Sequence, residues 1–291
     1  MDIRRNHRDL TGEQKRAFVT AILRLKNDVP SVLRPGLQSR YDDFVQVHRN
    51  SMGGPNPLVP NPHQSPLFYP WHRILIRQFE LALKTAANDP SITLPYWDWQ
   101  LEGRSNPFTA DFMGGNGDNM QNQRVTTGPF SVFNGAFELK VWDDNSGDQG
   151  LRRDLGANPE QPLPGPLEVI STLARTPYWQ VPVAEASGGW ENVSEDRLHN
   201  RVHAWIGGDM TTASSSNDPL FFLHHCHLDF LWEQWRQQHP ISEPFQPRAD
   251  APNGVLDSSL VFNPPNEPVP WPERWTVRQT LDLEQLDYRY E

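Results

Sequence analysis

Residues 194–238 read SEDRLHNRVHAWIGGDMTTASSSNDPLFFLHHCHLDFLWEQWRQQ, and this stretch shows helical periodicity twice. Ser194, with acidic residues directly after it, predicts the N-cap of a helix that ends at Gly207-Gly208. Asp218-Pro219 predicts the start of a second helix. The apolar stripe of this second helix is Phe221, His225, Leu228, Trp232 and Trp235. Imidazoles therefore lie on the predicted inner faces of both helices.

The spacing of these histidines is that of a metal site. His199 and His203 are four residues apart, which brings both rings to one face of a helix, where they can hold one ion. His225 lies on the apolar stripe of the next helix, whereas His224 points about a quarter-turn away. Helical periodicity therefore predicts His225, rather than His224, as the third ligand.

A second set of histidines precedes this stretch. Ser39-Arg-Tyr-Asp42 is a capping signal, and it starts a helix whose apolar stripe includes His48. His72 lies on the inner stripe of a helix that opens at Pro70. His63 lies between them, in a loop rich in proline and asparagine. The sequence therefore indicates two groups of three imidazoles and two metal ions.

The ligand type favours copper over the other common metals. Magnesium and manganese prefer oxygen ligands, and no bridging carboxylate accompanies these histidines. Zinc accepts three histidines with one open position, so a dinuclear zinc or iron hydrolase stays open as an alternative. A further alternative is that the histidines are core residues whose polar atoms are satisfied by the protein.

Composition excludes several classes of protein. The 291 residues carry 36 acidic and 26 basic side chains, a net charge of −10 that argues against nucleic-acid binding. No run of about eighteen apolar residues occurs, so we expect no membrane span. A single cysteine, Cys226, excludes an intrachain disulfide, and no apolar signal region follows Arg4-Arg5. We therefore expect a cytoplasmic protein, with export alongside a partner protein as an alternative.

The sequence also predicts the architecture of the protein. Helical periodicity is strong before about residue 88 and after Ser194, and weak between them. The 28 prolines predict long ordered loops. No internal repeat or low-complexity linker marks a boundary, so residues 1–291 are predicted to form a single domain. The predicted fold is mainly α, with long Pro-rich loops and few short strands.

These motifs resemble those of a known family. His199-Asn-Arg-Val-His203 and Asn217-Asp-Pro-Leu-Phe-Phe-Leu-His-His225 resemble the second copper-binding region of tyrosinases and related type 3 copper proteins. His63-Gln-Ser-Pro-Leu-Phe-Tyr-Pro-Trp-His72 resembles the first, with His48 upstream. Leu94-Pro-Tyr-Trp-Asp-Trp99 is similar to the segment that follows. The resemblance implies a four-helix bundle around a dicopper centre. It assigns one copper to His48, His63 and His72, and the other to His199, His203 and His225.

The resemblance also implies an activity. Tyrosinases hydroxylate monophenols with O2 and oxidise the resulting o-diphenols to o-quinones. Related members are catechol oxidases and o-aminophenol oxidases, which do not hydroxylate, and hemocyanins, which carry O2. In hydroxylating members, a glutamate and an asparagine hold a water that helps to deprotonate the phenol. Asn200 matches that asparagine, and Glu191 is the candidate for the glutamate.

Other features follow the bacterial members of the family. Asn61 stands where fungal and plant members have a cysteine that forms a thioether. Tyr288-Arg-Tyr290 is similar to a closing tyrosine motif that packs near an N-terminal arginine, here Arg4 or Arg5. The bacterial resemblance further implies a separate caddie-like copper chaperone as a possible partner, beside a small phenolic or aminophenolic substrate.

Overall fold

Long helices form the N-terminal part of the molecule. The computed structural model describes residues 1–52, 61–101, 106–134, 137–143, 149–180, 188–239 and 255–291. Helix α1 spans Gly12–Asn27, α2 spans Arg40–Ser51 and α3 spans Phe68–Ala87. Capping boxes at Thr11 and Ser39 start α1 and α2, as the sequence predicts. Helix α3 begins two residues earlier than expected from Pro70.

The C-terminal helices provide the other half of the bundle. They are α4 (Pro166–Leu173), α5 (Trp190–Ser194), a π-helical turn (Glu195–Asn200), α6 (Arg201–Ile206), α7 (Leu220–Gln238) and α8 (Val277–Thr280). The side chain of Asp218 accepts a hydrogen bond from the backbone N–H of Leu220, which caps α7 as predicted. Helices α2, α3, α6 and α7 carry most of the histidines into the interior, so the predicted mainly-α four-helix bundle is confirmed.

The prediction that Ser194 caps a helix is wrong. The chain is already helical from Trp190, and it passes through Ser194 and the π-helical turn into α6 without a break. The carbonyls of Pro177 and Tyr178 accept the first N–H groups of α5, so no side-chain cap is needed. A Cβ at Gly189 would lie 2.3 Å from the Pro177 carbonyl oxygen, so only glycine fits there.

The strands in the described ranges are two or three residues long. Strand β1 (Asp2–Arg4) pairs in parallel with β4 (Tyr288–Tyr290), which joins the two ends of the described chain. Strands β2 (Gly117–Asp118) and β3 (Arg124–Val125) form a small antiparallel pair. None of the helices in the described ranges is long and apolar enough to cross a membrane.

Packing between α3 and α7 aligns the two halves of the centre. Phe79 of α3 and Phe222 of α7 stack with 3.5 Å between ring centroids. Buried Arg73 of α3 donates a hydrogen bond to Asp229 of α7, and Tyr288 donates another to the same carboxylate. Arg4 lies over the Tyr288 ring at 3.6 Å, which confirms the expected contact between the closing tyrosine motif and an N-terminal arginine. Two oppositely charged, buried groups thus tie together the helices that carry His72 and the His224–His225 pair.

Candidate metal centre

The first histidine group is assembled from two helices and a loop. The ring nitrogens of His48 on α2, His63 in the loop and His72 on α3 lie within 4.8 Å of one another. His48 and His72 are buried, whereas His63 is half-buried. The structure therefore brings together all three residues that the sequence predicts for this group.

The second group differs from the prediction at one residue. Ring nitrogens of His199, His203 and His224 lie within 4.8 Å of one another, and His225 is outside this group. Both adjacent histidines of α7 are buried, because other elements cover this helix on more than one side. The His225 ring packs between the groups, stacked on His72 at 4.4 Å and tilted against Phe221 at 4.1 Å between centroids. Its Nε2 is buried and has no hydrogen-bond partner.

Hydrogen bonds orient five of the imidazoles. The Nδ1 atoms of His48, His72 and His203 lie 2.7–2.9 Å from the backbone carbonyls of Ala213, Phe68 and Met210. Side-chain amide oxygens serve the other two: His63 Nδ1 lies 3.0 Å from Asn61, and His199 Nδ1 lies 2.8 Å from Asn200. These oxygens only accept, so Nδ1 carries the proton and Nε2 keeps its lone pair for a metal ion.

His224 is held differently. The indole Nε1–H of Trp99 donates to His224 Nδ1 over 3.2 Å. An indole nitrogen can only donate, so Nδ1 must be the accepting nitrogen and Nε2 carries the proton of the neutral ring. In this tautomer, His224 Nε2 has no lone pair to offer. The distances therefore group His224 with His199 and His203, whereas its hydrogen bond opposes ligation through Nε2.

Burial keeps these imidazoles neutral. It lowers the pKa of His48 and of His203 to about 4. Burial and neighbouring imidazoles lower the pKa values of His63, His72 and His199 well below 6.5. Neutral imidazole is the form that binds metals. The Nε2 atoms of His48, His72, His199 and His203 are also buried without a partner among the described residues, which is the arrangement that a pair of metal ions would satisfy.

A cavity of about 470 Å³ opens onto both groups. His48, His63, His199, Asn200 and His203 contribute to its wall. It is large enough for a single aromatic ring with a short side chain. Asn200, predicted from the sequence, therefore lies at the cavity. Glu191 does not appear in its lining.

Glu191 instead lies outside the lining of the cavity, next to a second acid, Glu195. Its side chain is fully buried, and neither carboxylate oxygen has a protein donor in the described part of the chain. Burial, and then the neighbouring Glu195, raise the pKa of Glu191 well above its usual range. Glu195 is also buried, but it lines the cavity, and its carboxylate accepts the backbone N–H of Gln64 over 2.6 Å.

Sequence reasoning missed the groups that hold the imidazoles. Asn61 was noted as a replacement for cysteine, but its side chain accepts both the backbone N–H and the Nδ1–H of His63. Trp99 belongs to the aromatic segment that resembles the known family, but nothing in that segment indicated that its indole would bind His224. Nothing in the sequence indicated that the Met210 carbonyl would bind His203, because every residue has a backbone carbonyl.

Two further polar residues of α7, Asp229 and Cys226, are buried outside the histidine groups. Asp229 binds Arg73 and accepts hydrogen bonds from the hydroxyls of Tyr288 and Tyr290. Cys226 is buried, and burial raises the pKa of its thiol to about 12. The thiol therefore stays protonated.

Comparison with known proteins gives a consistent family. Residues 38–238 match the family model described as the common central domain of tyrosinase. A tyrosinase of Streptomyces antibioticus is 41% identical over 277 residues, covering 93% of this chain and 95% of that protein. The grixazone synthase of Streptomyces griseus is 36% identical over 292 residues, covering 86% of this chain and 90% of that protein.

Solved structures support the same fold. A polyphenol oxidase from Thermothelomyces thermophila (mutant G292N) superposes with a TM-score of 0.75, covering 100% of this chain and 89% of that one. The two sequences are 23% identical, so this likeness concerns the fold. It agrees with the mainly-α fold of this chain.

Proposed function

The chain belongs to the tyrosinase family, and we propose that it uses two copper ions and O2 to hydroxylate monophenols and to oxidise o-diphenols to o-quinones. The observation that carries this proposal is the pair of buried histidine groups facing one cavity, with Nε2 atoms that lack partners. Members of this family bind two copper ions through two histidine triads. Bound copper would supply the redox chemistry that couples reduction of O2 to oxidation of the phenol.

We assign the ligands from the hydrogen bonding of each ring. His48, His63 and His72 would hold one copper, and His199, His203 and His225 the other. His225 is preferred to His224 because the Trp99 hydrogen bond puts the proton of His224 on Nε2. Soft or borderline metals suit a set of imidazoles without carboxylate, which favours copper over magnesium or manganese.

Asn200 and Glu191 are proposed to handle the phenol proton. The amide oxygen of Asn200 accepts from His199 Nδ1–H, so its NH2 group can donate to a water at the cavity. Glu191, once it has given up its own proton, would receive the phenol proton through that water, and its raised pKa makes its carboxylate a stronger base. A phenol must lose its proton before hydroxylation, and a positioned base accelerates such a transfer by roughly 10²–10⁴-fold.

One observation favours the second candidate, a catechol oxidase or o-aminophenol oxidase without hydroxylation. Glu191 is fully buried and does not appear in the lining of the cavity. If its carboxyl cannot exchange a proton with a water beside Asn200, monophenols would not be deprotonated. Diphenols and aminophenols, which lose protons as they are oxidised, would still react.

An oxygen-uptake experiment tests both candidates. Copper-loaded protein is expected to contain about two copper ions per chain and to consume O2 with 4-methylcatechol, 2-aminophenol and tyramine. Uptake with the first two compounds alone would select the second candidate. No uptake with any of them, despite full copper loading, would contradict the enzyme proposal and favour an oxygen carrier. Two zinc ions in place of copper would point to a hydrolase.

Several predictions from the sequence accompany this proposal. A single domain over residues 1–291, a cytoplasmic location and a caddie-like copper chaperone remain predictions. The chaperone prediction can be checked by comparing copper uptake by the purified apoprotein with uptake in extracts of its source.

A further inference from the structure

The cavity beside the histidine groups has a single acidic side chain in its described wall. That residue is Glu195, which lines the cavity together with Gln64, Asn200 and the histidines. Among the described lining residues, none is lysine or arginine. Glu195 is therefore the protein's own source of formal charge in this wall.

The surroundings of Glu195 favour its ionised form over that of Glu191. The Glu195 carboxylate accepts the backbone N–H of Gln64 over 2.6 Å. Glu191 has no protein donor, and burial and the neighbouring Glu195 raise its pKa well above the usual range. Burial also raises the pKa of Glu195, but hydrogen bonds from Glu191 and Gln64 oppose that rise. A protonated Glu191 can donate its own hydrogen to Glu195. When two adjacent buried carboxyls hold a single proton, the greater rise in pKa at Glu191 places the proton there, and Glu195, which lines the cavity, carries the negative charge.

We propose that Glu195 sets the substrate preference of this site by charge, favouring phenols with an ammonium or neutral side chain and disfavouring phenols with a carboxylate. This inference rests on the proposed function, because it concerns substrates of the same cavity. Within a few ångströms and away from bulk water, one unit charge changes the relative binding of oppositely charged ligands by about tenfold.

Bound copper adds positive charge to the cavity, so the preference of the wild-type protein for one charged ligand over the other does not by itself reveal the effect of Glu195. The contribution of Glu195 is the change in preference when its charge is removed from otherwise identical protein. The charge of bound copper is the same in the wild-type protein and in the Glu195 variant, so it does not contribute to the change in preference.

The test uses phenethylamine and 3-phenylpropionate, which lack a ring hydroxyl and are not oxidised. Their dissociation constants are measured by calorimetry on copper-loaded protein, so the readout does not depend on turnover. The Glu195→Gln substitution is expected to shift the ratio of the two constants about tenfold in favour of the carboxylate. The ratio of kcat/KM for 3-(4-hydroxyphenyl)propionate to that for tyramine should rise by a similar factor.

Asp196→Asn is the matched control. Asp196 is the next acid along the chain, but it is exposed and lies in the wall of a neighbouring cavity. Its removal changes the net charge equally and should move the ratio less than about twofold, because solvent screens it. Glu195→Ala is a second neutral variant in case the glutamine variant does not fold.

An unchanged ratio in the neutral Glu195 variants, or an equal change in the Asp196 variant, would overturn this inference. Oxidation of 4-methylcatechol in the same preparation separates it from the proposed function. If that uncharged diphenol is oxidised while the ratio does not move, only the charge preference fails. If it is not oxidised, the proposed function fails and the binding ratio still reports on Glu195.

Discussion

The two histidine groups differ in how their third member is selected. In the first group, His48, His63 and His72 come from separate elements, and the structure brings together the predicted three. In the second group, α7 offers the adjacent pair His224 and His225, and both side chains are buried. Helical spacing identifies a buried face only where the opposite face is exposed. Where both faces of a helix are covered, hydrogen bonding has to distinguish the residues.

The largest expected effect comes from variants that distinguish His225 from His224 as the third ligand of the second group. His225→Ala should lower the copper content from about two ions to about one per chain and abolish phenol oxidation, because one copper loses a ligand. His224→Ala is the matched control and should retain about two. Metal analysis and oxygen uptake measure both variants. The reverse pattern would assign the ligand to His224 and show that the Trp99 hydrogen bond rearranges when copper binds.

The next effect concerns the link between the groups. Asp229→Asn leaves Arg4 and Arg73, which are fully buried, without their shared carboxylate. We expect the free energy of unfolding to fall by about 3–5 kcal/mol in urea titrations. Asp257→Asn, which breaks an exposed pair with Arg278, should cost under about 1 kcal/mol. Equal costs would mean that the buried link adds no stability of its own.

The ionisation of Asp229 predicts how the stability of the protein changes at low pH. Burial raises the pKa of Asp229, but the charges of Arg73 and Arg4 and the tyrosine hydroxyls outweigh it and hold the pKa below 3.8. The group therefore contributes stability above pH 3.8, which is lost as the pH falls through the lowered pKa. The stability difference between wild type and Asp229→Asn should shrink over that acidic range. A constant difference would contradict the lowered pKa.

A smaller effect tests the loop member of the first group. Asn61→Ala removes the acceptor of both His63 N–H groups, so His63 loses its orientation. Copper at this group should bind about 10–100-fold more weakly in competition titrations against a chelator. Asn61→Asp keeps an acceptor at the same position and should retain most of the affinity. Equal weakening in both variants would show that this hydrogen bond does not position His63.

The smallest effect concerns the buried acid behind the second group. The pKa of Glu191 is raised above its ordinary 4.5, so the unfolded chain ionises first as the pH rises and the native state loses stability. Glu191→Gln should therefore be more stable than wild type by about 1–2 kcal/mol at pH 8, with little gain at pH 4. Thermal unfolding at both pH values measures this. A gain of equal size at both values would point to better packing instead of titration.

Much of the fold was predictable because its signals are local. The capping boxes at Thr11 and Ser39 and the cap at Asp218 depend on neighbours within one turn. The helix that begins at Trp190 was missed because its first N–H groups bond to a loop more than ten residues earlier in the chain. Glu195 was interpreted only as a first-turn acid, and its contact with Gln64 spans 131 residues.

The amino-acid sequence alone indicated two groups of three imidazoles, five of them on helices and His63 in a loop, and it indicated copper as the metal that they suit. Helical period and ligand chemistry are properties of neighbouring residues. The tertiary structure decided which nitrogen of each ring is free, which acid reaches the cavity and how α3 and α7 are joined. Those outcomes depend on carbonyls, amides and indoles from distant segments, and only the packed chain brings them within hydrogen-bonding distance.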